Sequence, residues 1–361
     1  MSASRSDSAP SSAADAERPA AAAQAGRDRQ AGQAGRDEQP AYGVVCGTVE
    51  AVELVSPSFV RITFGGPGVD QLGNPAETFD QRIKLIFPPA SGVLPDLSCS
   101  GDEWYQAWLA VDEAQRGSMR TYSIRDVVVD DGRTSLVIDF VLHLVPGETG
   151  PASTWASTAT IGDELLIVGP RRGRFDGGGI EYRPGDARMV LLAGDETAAP
   201  AIARIIEDSG PELRGAAFIE VPTSGDRLDI AAPDGFEVRW LARAGVGTGT
   251  MLIPAVLEHL EHLEREAAVA EEERARRSLL PEGELEIRDV DSEALVWETP
   301  DYSGLGEPVE GTRNHSDSYF WIAGESGTVT TLRRHLVRGL GIDRSQVAFM
   351  GYWRRGVAMK G

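Results

Sequence analysis

The chain has 361 residues, with 35 Lys and Arg against 56 Asp and Glu and a formal charge of -21. At roughly 100–200 residues per domain, two globular domains are expected, each large enough to bury its own core. The acidic balance argues against nucleic acid or an anionic membrane as main partner. Two cysteines, Cys46 and Cys99, exclude a disulfide framework and a four-thiolate metal site.

The N-terminus lacks the apolar core of a signal peptide, and no apolar run reaches the ~18 residues of a membrane span. A cytoplasmic protein with reduced thiols and no membrane insertion is expected. Residues 1–40 contain no Val, Ile, Leu, Phe, Tyr or Trp, and QAGRD occurs at 24–28 and again at 33–37. Such a stretch cannot offset its ordering entropy by burial, so a disordered tail is expected.

Order begins near Tyr42. The runs 43–55, 59–64, 81–87, 119–129, 134–144 and 163–168 are short, rich in Val, Ile, Leu and aromatics, and separated by Gly, Pro and Asp. This pattern predicts a small antiparallel β-barrel domain over 41–175. The acidic, Trp-bearing segment Asp102–Gln115 reads as a covering helix or a loop, and the Gly-rich Arg171–Gly185 as a linker.

From Arg188 the rhythm changes. A buried-type strand at 189–194, a helix at 199–210 and a strand at 215–221 form a βαβ unit on a parallel sheet. A third strand is expected at 236–241, and a long helical stretch over Met251–Leu280 has an acidic portion that reads as an insertion near 261–284. Residues 285–290 read as an added strand or loop. Strand 319–324, helix 327–340 and strand 347–353 complete an α/β domain over 186–361.

Two stretches carry chemistry. In Arg120-Thr121-Tyr122-Ser123, Arg120 and Tyr122 share one face of a strand. Arg supplies a fork for a phosphate, Tyr a flat face for a ring system, and Ser a hydroxyl for a ring nitrogen. The set suits a flavin floor; it equally suits a barrel strand with a core aromatic and solvent-facing arginines. Some twenty residues on, Val141-Leu142-His143 ends a strand, and Gly150-Pro151-Ala152-Ser153 leads into a short helix with Trp155. Gly allows close approach, Pro suits a first turn, and free N–H groups at a helix start attract phosphate. An ordinary capped helix between strands gives the same letters. The two motifs in this order are more specific than either alone.

These motifs, followed by Gly194-Asp195-Glu196-Thr197 with Pro200, then Ala323-Gly324-Glu325 and Gly351-Tyr352-Trp353-Arg354, resemble the siderophore-interacting protein family over residues 42–361. The family comprises FAD-dependent ferric-siderophore reductases of the ferredoxin-reductase-like superfamily. The resemblance implies an antiparallel flavin-binding barrel followed by a parallel-sheet nucleotide-binding domain. It places Arg120 on the flavin pyrophosphate, Tyr122 on the isoalloxazine and Ser123 near N5. Val141–His143 would line the flavin, Gly150–Ser153 would cradle the phosphates, and Trp155 and Ala156 complete the pattern. Trp353, Arg354 and Glu325 would lie near the flavin face. Leu144 departs from the family's usual Gly, and Ala199 from its usual Leu.

The second domain lacks G-x-G-x-x-G. Thr197 and the helix N–H groups beside it are candidate pyrophosphate donors, with Asp195 and Glu196 as helix caps the competing reading. The loop Arg243–Gly249 either borders a nicotinamide or flavin or is merely mobile. Glu220 would disfavour a 2'-phosphate, a hint of NADH.

Implied function is reduction of siderophore-bound Fe(III) to Fe(II) with electrons from NAD(P)H, or a ferredoxin, through FAD. An anionic ferric siderophore needs a locally basic cleft. Lys84, Arg125, Arg354 and Lys360 are candidates, while Arg82 and Arg355 read more readily as solvated surface charges. No protein-bound metal is expected: His143, His259, His262, His315 and His335 are scattered, although His259 and His262 stand i,i+3 on a helix. A monomer is expected. Alternatives are a flavin reductase with another acceptor and a non-catalytic siderophore-binding protein.

Overall fold

The computed structural model describes residues 40–73, 77–98, 100–144, 149–174, 176–275, 297–299, 302–303 and 317–356. Residues 1–39 of the expected tail, residues 276–290 and Lys360 lie outside the described residues.

The N-terminal half is an antiparallel sheet of seven strands: β1 (Tyr42–Ser56), β2 (Phe59–Gly65), β3 (Arg82–Phe87), β4 (Ser118–Ser123), β5 (Asp126–Asp130), β6 (Arg133–Val141) and β7 (Glu164–Pro170). Their order is β4-β3-β7-β1-β2-β6-β5. The two outermost strands, β4 and β5, are joined by only Ile124 and Arg125. So short a link brings the two ends of the sheet together and curls it into a barrel. The single run expected at 119–129 is therefore two strands with a corner between them.

Inside the barrel, Phe64, Phe87, Phe140, Ile62, Ile83 and Leu85 are buried. Helix α1 (Trp104–Ala110) lies outside it, where Trp108 packs with Ile86, Met119, Leu166 and Val168. The acidic segment is thus a covering helix. Helix α2 (Pro151–Ala156) lies against β3, β4 and β6.

The second sheet has the order β10-β9-β8-β13-β14-β11-β12. Strands β8 (Met189–Gly194), β9 (Gly215–Val221), β10 (Phe236–Ala242), β13 (Ser318–Glu325) and β14 (Val347–Trp353) run parallel. Strands β11 (Trp297–Thr299) and β12 (Tyr302–Ser303) add antiparallel pairs that the sequence did not announce. Helix α3 (Ala199–Asp208) covers one face, with Ile202, Ile205 and Ile206 buried. Helices α4 (Leu252–Ala275) and α5 (Ser326–Arg333) cover the other through Leu252, Val256, Leu260, Val329 and Leu332. Burial on both faces explains the near-continuous apolar runs of β8 and β13. Among the described residues no helix is long and apolar enough to cross a membrane.

The halves pack directly. Phe59 and Val141 of the barrel belong to the same buried cluster as Val221, Leu228 and Ile202. Asp226 receives the Ser56 hydroxyl at 2.9 Å and the Ser58 N–H at 2.7 Å. Asp208, at the end of α3, accepts the N–H groups of Thr78 and Phe79 at 2.7 and 2.8 Å. Buried Asp80 accepts from Tyr182 N–H and the Trp321 indole. This fixes the linker against the second sheet.

Candidate functional site

Register places the first motif. Tyr122 stands opposite Ile83 and Arg120 opposite Leu85, so both share the barrel-interior face. The Tyr122 ring lies 4.7 Å from Phe140, and burial pushes its hydroxyl above the ordinary range. Arg120 is half-buried and donates to the Met119 carbonyl. Burial disfavours its charge, and among the described residues no carboxylate pairs with it. Thr121 and Ser123 stand opposite Lys84 and Arg82 on the other face.

Helix α2 has Gly150 as its N-cap, Pro151 inside its first turn and no side-chain cap. A Cβ on Gly150 would meet nothing within 4 Å, and its φ of -76° is open to any residue. Neither packing nor backbone conformation asks for glycine there. Ala152 and Ser153 are buried, and the Ser153 hydroxyl donates to the Val141 carbonyl at 2.9 Å while accepting weakly from His143 N–H. That hydroxyl therefore fastens α2 to the end of β6, and its proton is not free for an anion. Trp155 stacks on Phe64 at 6.2 Å and meets Phe87 edge-on at 5.4 Å, so it plugs the barrel. Leu142 packs at the edge of the same core, whereas Val141 faces the second domain.

The barrel end carrying His143 meets the carboxyl ends of the parallel strands. In the second sheet β8 and β13 are adjacent, yet chain order runs from β8 away to β9 and β10. That reversal is the position where open α/β sheets bind ligands. Here Asp195 is buried and accepts the Thr197 N–H, the Thr197 hydroxyl, the Glu325 N–H at 2.8 Å and the Trp353 indole N–H at 2.8 Å. Burial, with Glu196 beside it, raises its carboxyl to about 7. The N–H groups of Ala198 and Ala199 bond the Asp195 carbonyl. Thr197–Ala199 consequently offer no free donor for a pyrophosphate, which corrects the expectation for Thr197; the carboxylates do not cap the helix either, since its N-cap is Ala198 without a side-chain hydrogen bond and the Asp195 backbone carbonyl takes the first N–H groups.

Glu196 is buried and grips Arg243 with both oxygens. Its Oε1 lies 3.9 Å from His143 Nδ1, whose imidazole is held below its ordinary range by burial. The His143 ring is 6.1 Å from that of Trp353. Glu220 is fully buried and accepts the N–H groups of Gly249, Met251 and Leu252 at 2.7, 2.9 and 3.1 Å. It caps α4 and pins the 243–249 loop, so it cannot reach a ribose, and the hint of NADH drawn from it falls away.

The candidate basic residues separate. Arg125 is buried and bidentate to Glu207 at 2.6 and 2.8 Å, so its charge serves the domain junction rather than an incoming anion. Arg82 pairs with Glu181 and lies 4.3 Å over the Trp297 ring. Lys84 donates to the Thr121 hydroxyl at 2.7 Å; burial and Arg82 hold its ammonium below the usual range. Arg354 is exposed. His259 packs on Phe218, His262 pairs with Glu266, and no group of three or more metal-ligating residues occurs among the described residues. Sequence reasoning missed the Glu196–Arg243 pair and the Asp195–Trp353 bond; the Asp-Glu pair following a buried strand was their sole trace.

A curled antiparallel barrel joined to a second, mainly parallel sheet defines the class of flavin-binding reductase folds. Residues 48–174 match the siderophore-interacting FAD-binding domain and residues 187–356 the siderophore-interacting protein model. The chain belongs to the siderophore-interacting protein family. The crystal structure of a siderophore utilization protein from T. fusca is similar at 27% identity and a TM-score of 0.58, covering 89% of this chain and 96% of that one. The siderophore-interacting protein SipS from Aeromonas hydrophila is similar at 26% and 0.54, covering 88% and 94%. The NADPH-dependent ferric-chelate reductase of Escherichia coli is 33% identical over 202 residues, 54% of this chain and 70% of that protein. An uncharacterized Mycobacterium tuberculosis protein is 36% identical over 201 residues, and the matched region spans 64% of its length.

Proposed function

We propose that the chain is an FAD-dependent ferric-siderophore reductase that draws electrons from NAD(P)H. The observation that carries this reading is Arg120, a half-buried guanidinium with no carboxylate partner among the described residues, on the barrel strand that lies against α2. A buried, uncompensated cation is costly unless an anion neutralises it. The side-chain-free Gly150 and the uncapped first turn of α2 provide room and N–H donors for that anion, here the FAD pyrophosphate. Bound FAD supplies two-electron acceptance from a hydride donor and single-electron release to iron.

The chain's own residues bind and shield. Tyr122, Leu142 and His143 line the barrel side, and Val141 holds that strand end against the second domain; Trp353, anchored on Asp195, forms the facing wall. The switch point between β8 and β13 takes the nicotinamide donor; the E. coli relative is named as an NADPH-dependent enzyme. Lys84 attracts the anionic complex, because no carboxylate neutralises it among the described residues. Iron enters and leaves as part of the substrate.

The test is FAD binding by Arg120→Ala. Purified protein titrated with FAD should acquire the yellow absorbance of bound flavin, and the variant should lose it at the same concentrations. Equal retention by both proteins would refute the assignment of Arg120.

A further inference from the structure

Trp353 ends β14 in the cleft, yet its indole N–H is not left to water. It donates to Oδ2 of Asp195 at 2.8 Å, the same oxygen that accepts the Glu325 N–H at 2.8 Å. One carboxylate oxygen thereby ties together the ends of three parallel strands, β8, β13 and β14. Oδ1 of Asp195 is occupied by the N–H and hydroxyl of Thr197. The backbone makes room for this arrangement at Gly324, whose φ is +136° and whose added Cβ would stand 2.7 Å from the Asp195 carboxyl carbon. A glycine is required there both by its left-handed φ and by the carboxylate.

We propose that Asp195 is the positioning residue for Trp353: its carboxylate fixes the indole between the parallel sheet and His143 of the barrel, and so sets the aromatic wall of the cleft. The anchoring stands on the geometry of the protein alone; its consequence for electron transfer rests on the reductase reading above.

The anchor is also sensitive to pH in the neutral range. The carboxyl of Asp195 is raised to about 7 by burial and by Glu196 next to it. The other charged and titratable groups around it are Arg243, neutralised by Glu196 and Glu220, and His143, which faces Glu196. Glu325 turns its carboxylate to the Thr328 and Arg355 N–H groups, and Tyr352 lies half-buried on β14. Protonation places a hydrogen on a carboxyl group whose two oxygens already receive four donors. The Thr197 hydroxyl, the one donor of the four that can turn acceptor, takes that hydrogen, and the Trp353 indole exchanges a charged acceptor for a neutral one, which weakens its bond and changes the field on its ring.

The test uses flavin-free, full-length protein, so its outcome is independent of the reductase reading. Trp353→Phe is subtracted from wild type to isolate the Trp353 fluorescence and near-ultraviolet dichroism, followed from pH 5 to pH 9. The difference signal should change with a midpoint near 7. Asp195→Asn, which keeps an oxygen acceptor but cannot ionise, should abolish the transition while retaining a structured indole signal. His143→Gln should leave the transition in place. A merely structural Asp195 would give no pH transition assignable to Trp353. The proposal is overturned if Asp195→Asn retains the wild-type transition, if Trp353→Phe removes none of it, or if His143→Gln abolishes it.

Discussion

Arg125, at the corner between the two barrel ends, meets Glu207 of α3 with two parallel hydrogen bonds of 2.6 and 2.8 Å. The pair continues on both sides. Asp139 lies 3.7 Å from Arg125 and is itself bidentate to Arg61, while Arg204 joins Asp126 of the barrel to Asp208 of its own helix. Arg125 and Glu207 are 9% and 18% exposed at their side chains, so solvent screens them little. Removing one partner of a buried pair costs about 3–5 kcal/mol. Glu207→Gln should therefore lower the unfolding free energy from urea titration by an amount near the bottom of that range, and Arg125→Met by more, since it also removes the cation 3.7 Å from Asp139. A loss below the error of the measurement would show that the junction does not depend on this pair.

Arg120 behaves in the opposite way. Having no carboxylate partner among the described residues, it adds a desolvation cost to the flavin-free fold, and Arg120→Ala should leave the stability of flavin-free protein unchanged or raised. Flavin affinity should fall instead. A charge-assisted hydrogen bond is worth about 1.5–3 kcal/mol, which corresponds to a Kd rise of roughly 10- to 150-fold. Arg120→Lys should recover part of it, because a point charge replaces the fork without its geometry. Calorimetric FAD titration beside thermal unfolding checks both halves of the prediction.

Glu220 separates structural from cofactor-selecting roles. Glu220→Gln sets an NH2 group against N–H donors of Gly249 or of Met251 and Leu252. The expected cost is about 1–3 kcal/mol, that of a buried donor left without its acceptor. The ratio of NADH to NADPH efficiency should not change. A shifted ratio would show that the side chain reaches the ribose.

Two buried carboxyls shape stability against pH. Asp80 is raised to about 6 and Asp195 to about 7, chiefly by burial. Unfolded, each releases its proton near pH 3.9, so between about pH 4 and 7 the folded state holds more protons and stability falls as pH rises. Asp208 and Asp226, held below the ordinary range by hydrogen bonds that outweigh their burial, work oppositely and lose their contribution in stronger acid. His143 and His259, held down by burial, oppose the decline weakly near pH 6. Asp195→Asn should remove the upper part of that decline, on the order of a few kcal/mol. Urea midpoints from pH 4 to 8 that rise steadily with pH would contradict the assignment.

Lys84 should act on the substrate rather than on the cofactor. It lies on the barrel face opposite to that of Arg120 and Tyr122, with its charge opposed by no carboxylate among the described residues. Lys84→Ala should raise KM for an anionic ferric siderophore severalfold with FAD content unchanged. High salt should shrink the difference between the proteins, because screening removes the attraction. A neutral ferric chelate affected equally would count against an electrostatic role.

Period-two alternation and short apolar runs made the barrel and the parallel sheet readable, because those patterns report burial on one or both faces. The corner at Ile124 and Arg125 was not readable: Val127 to Val129 continue the β-branched pattern, and only the closing of the curled sheet divides it. Strand β11 was hidden for another reason. It pairs with β14 through backbone bonds that any short sequence can make. In the proposed site, residue types singled out Arg120 and the α2 start, since cations and glycines leave local marks. They did not announce what each polar group spends its hydrogen bonds on. Thr197 and Ser153 look like free donors in the sequence and are committed to Asp195 and Val141. Likewise Arg125 reads in the sequence as a cation for an anionic substrate and is buried against Glu207.

The central claim is electron flow from a nicotinamide donor through bound FAD to siderophore iron. Its most direct measurement is an anaerobic absorbance assay of the FAD-loaded protein given NADH or NADPH, then a ferric siderophore with a ferrous trap. The account predicts bleaching of the flavin band by one of the two donors, its recovery when the ferric complex is added, and a matching yield of trapped Fe(II). A flavin that is photoreduced yet transfers no electrons to any ferric siderophore tested would contradict it.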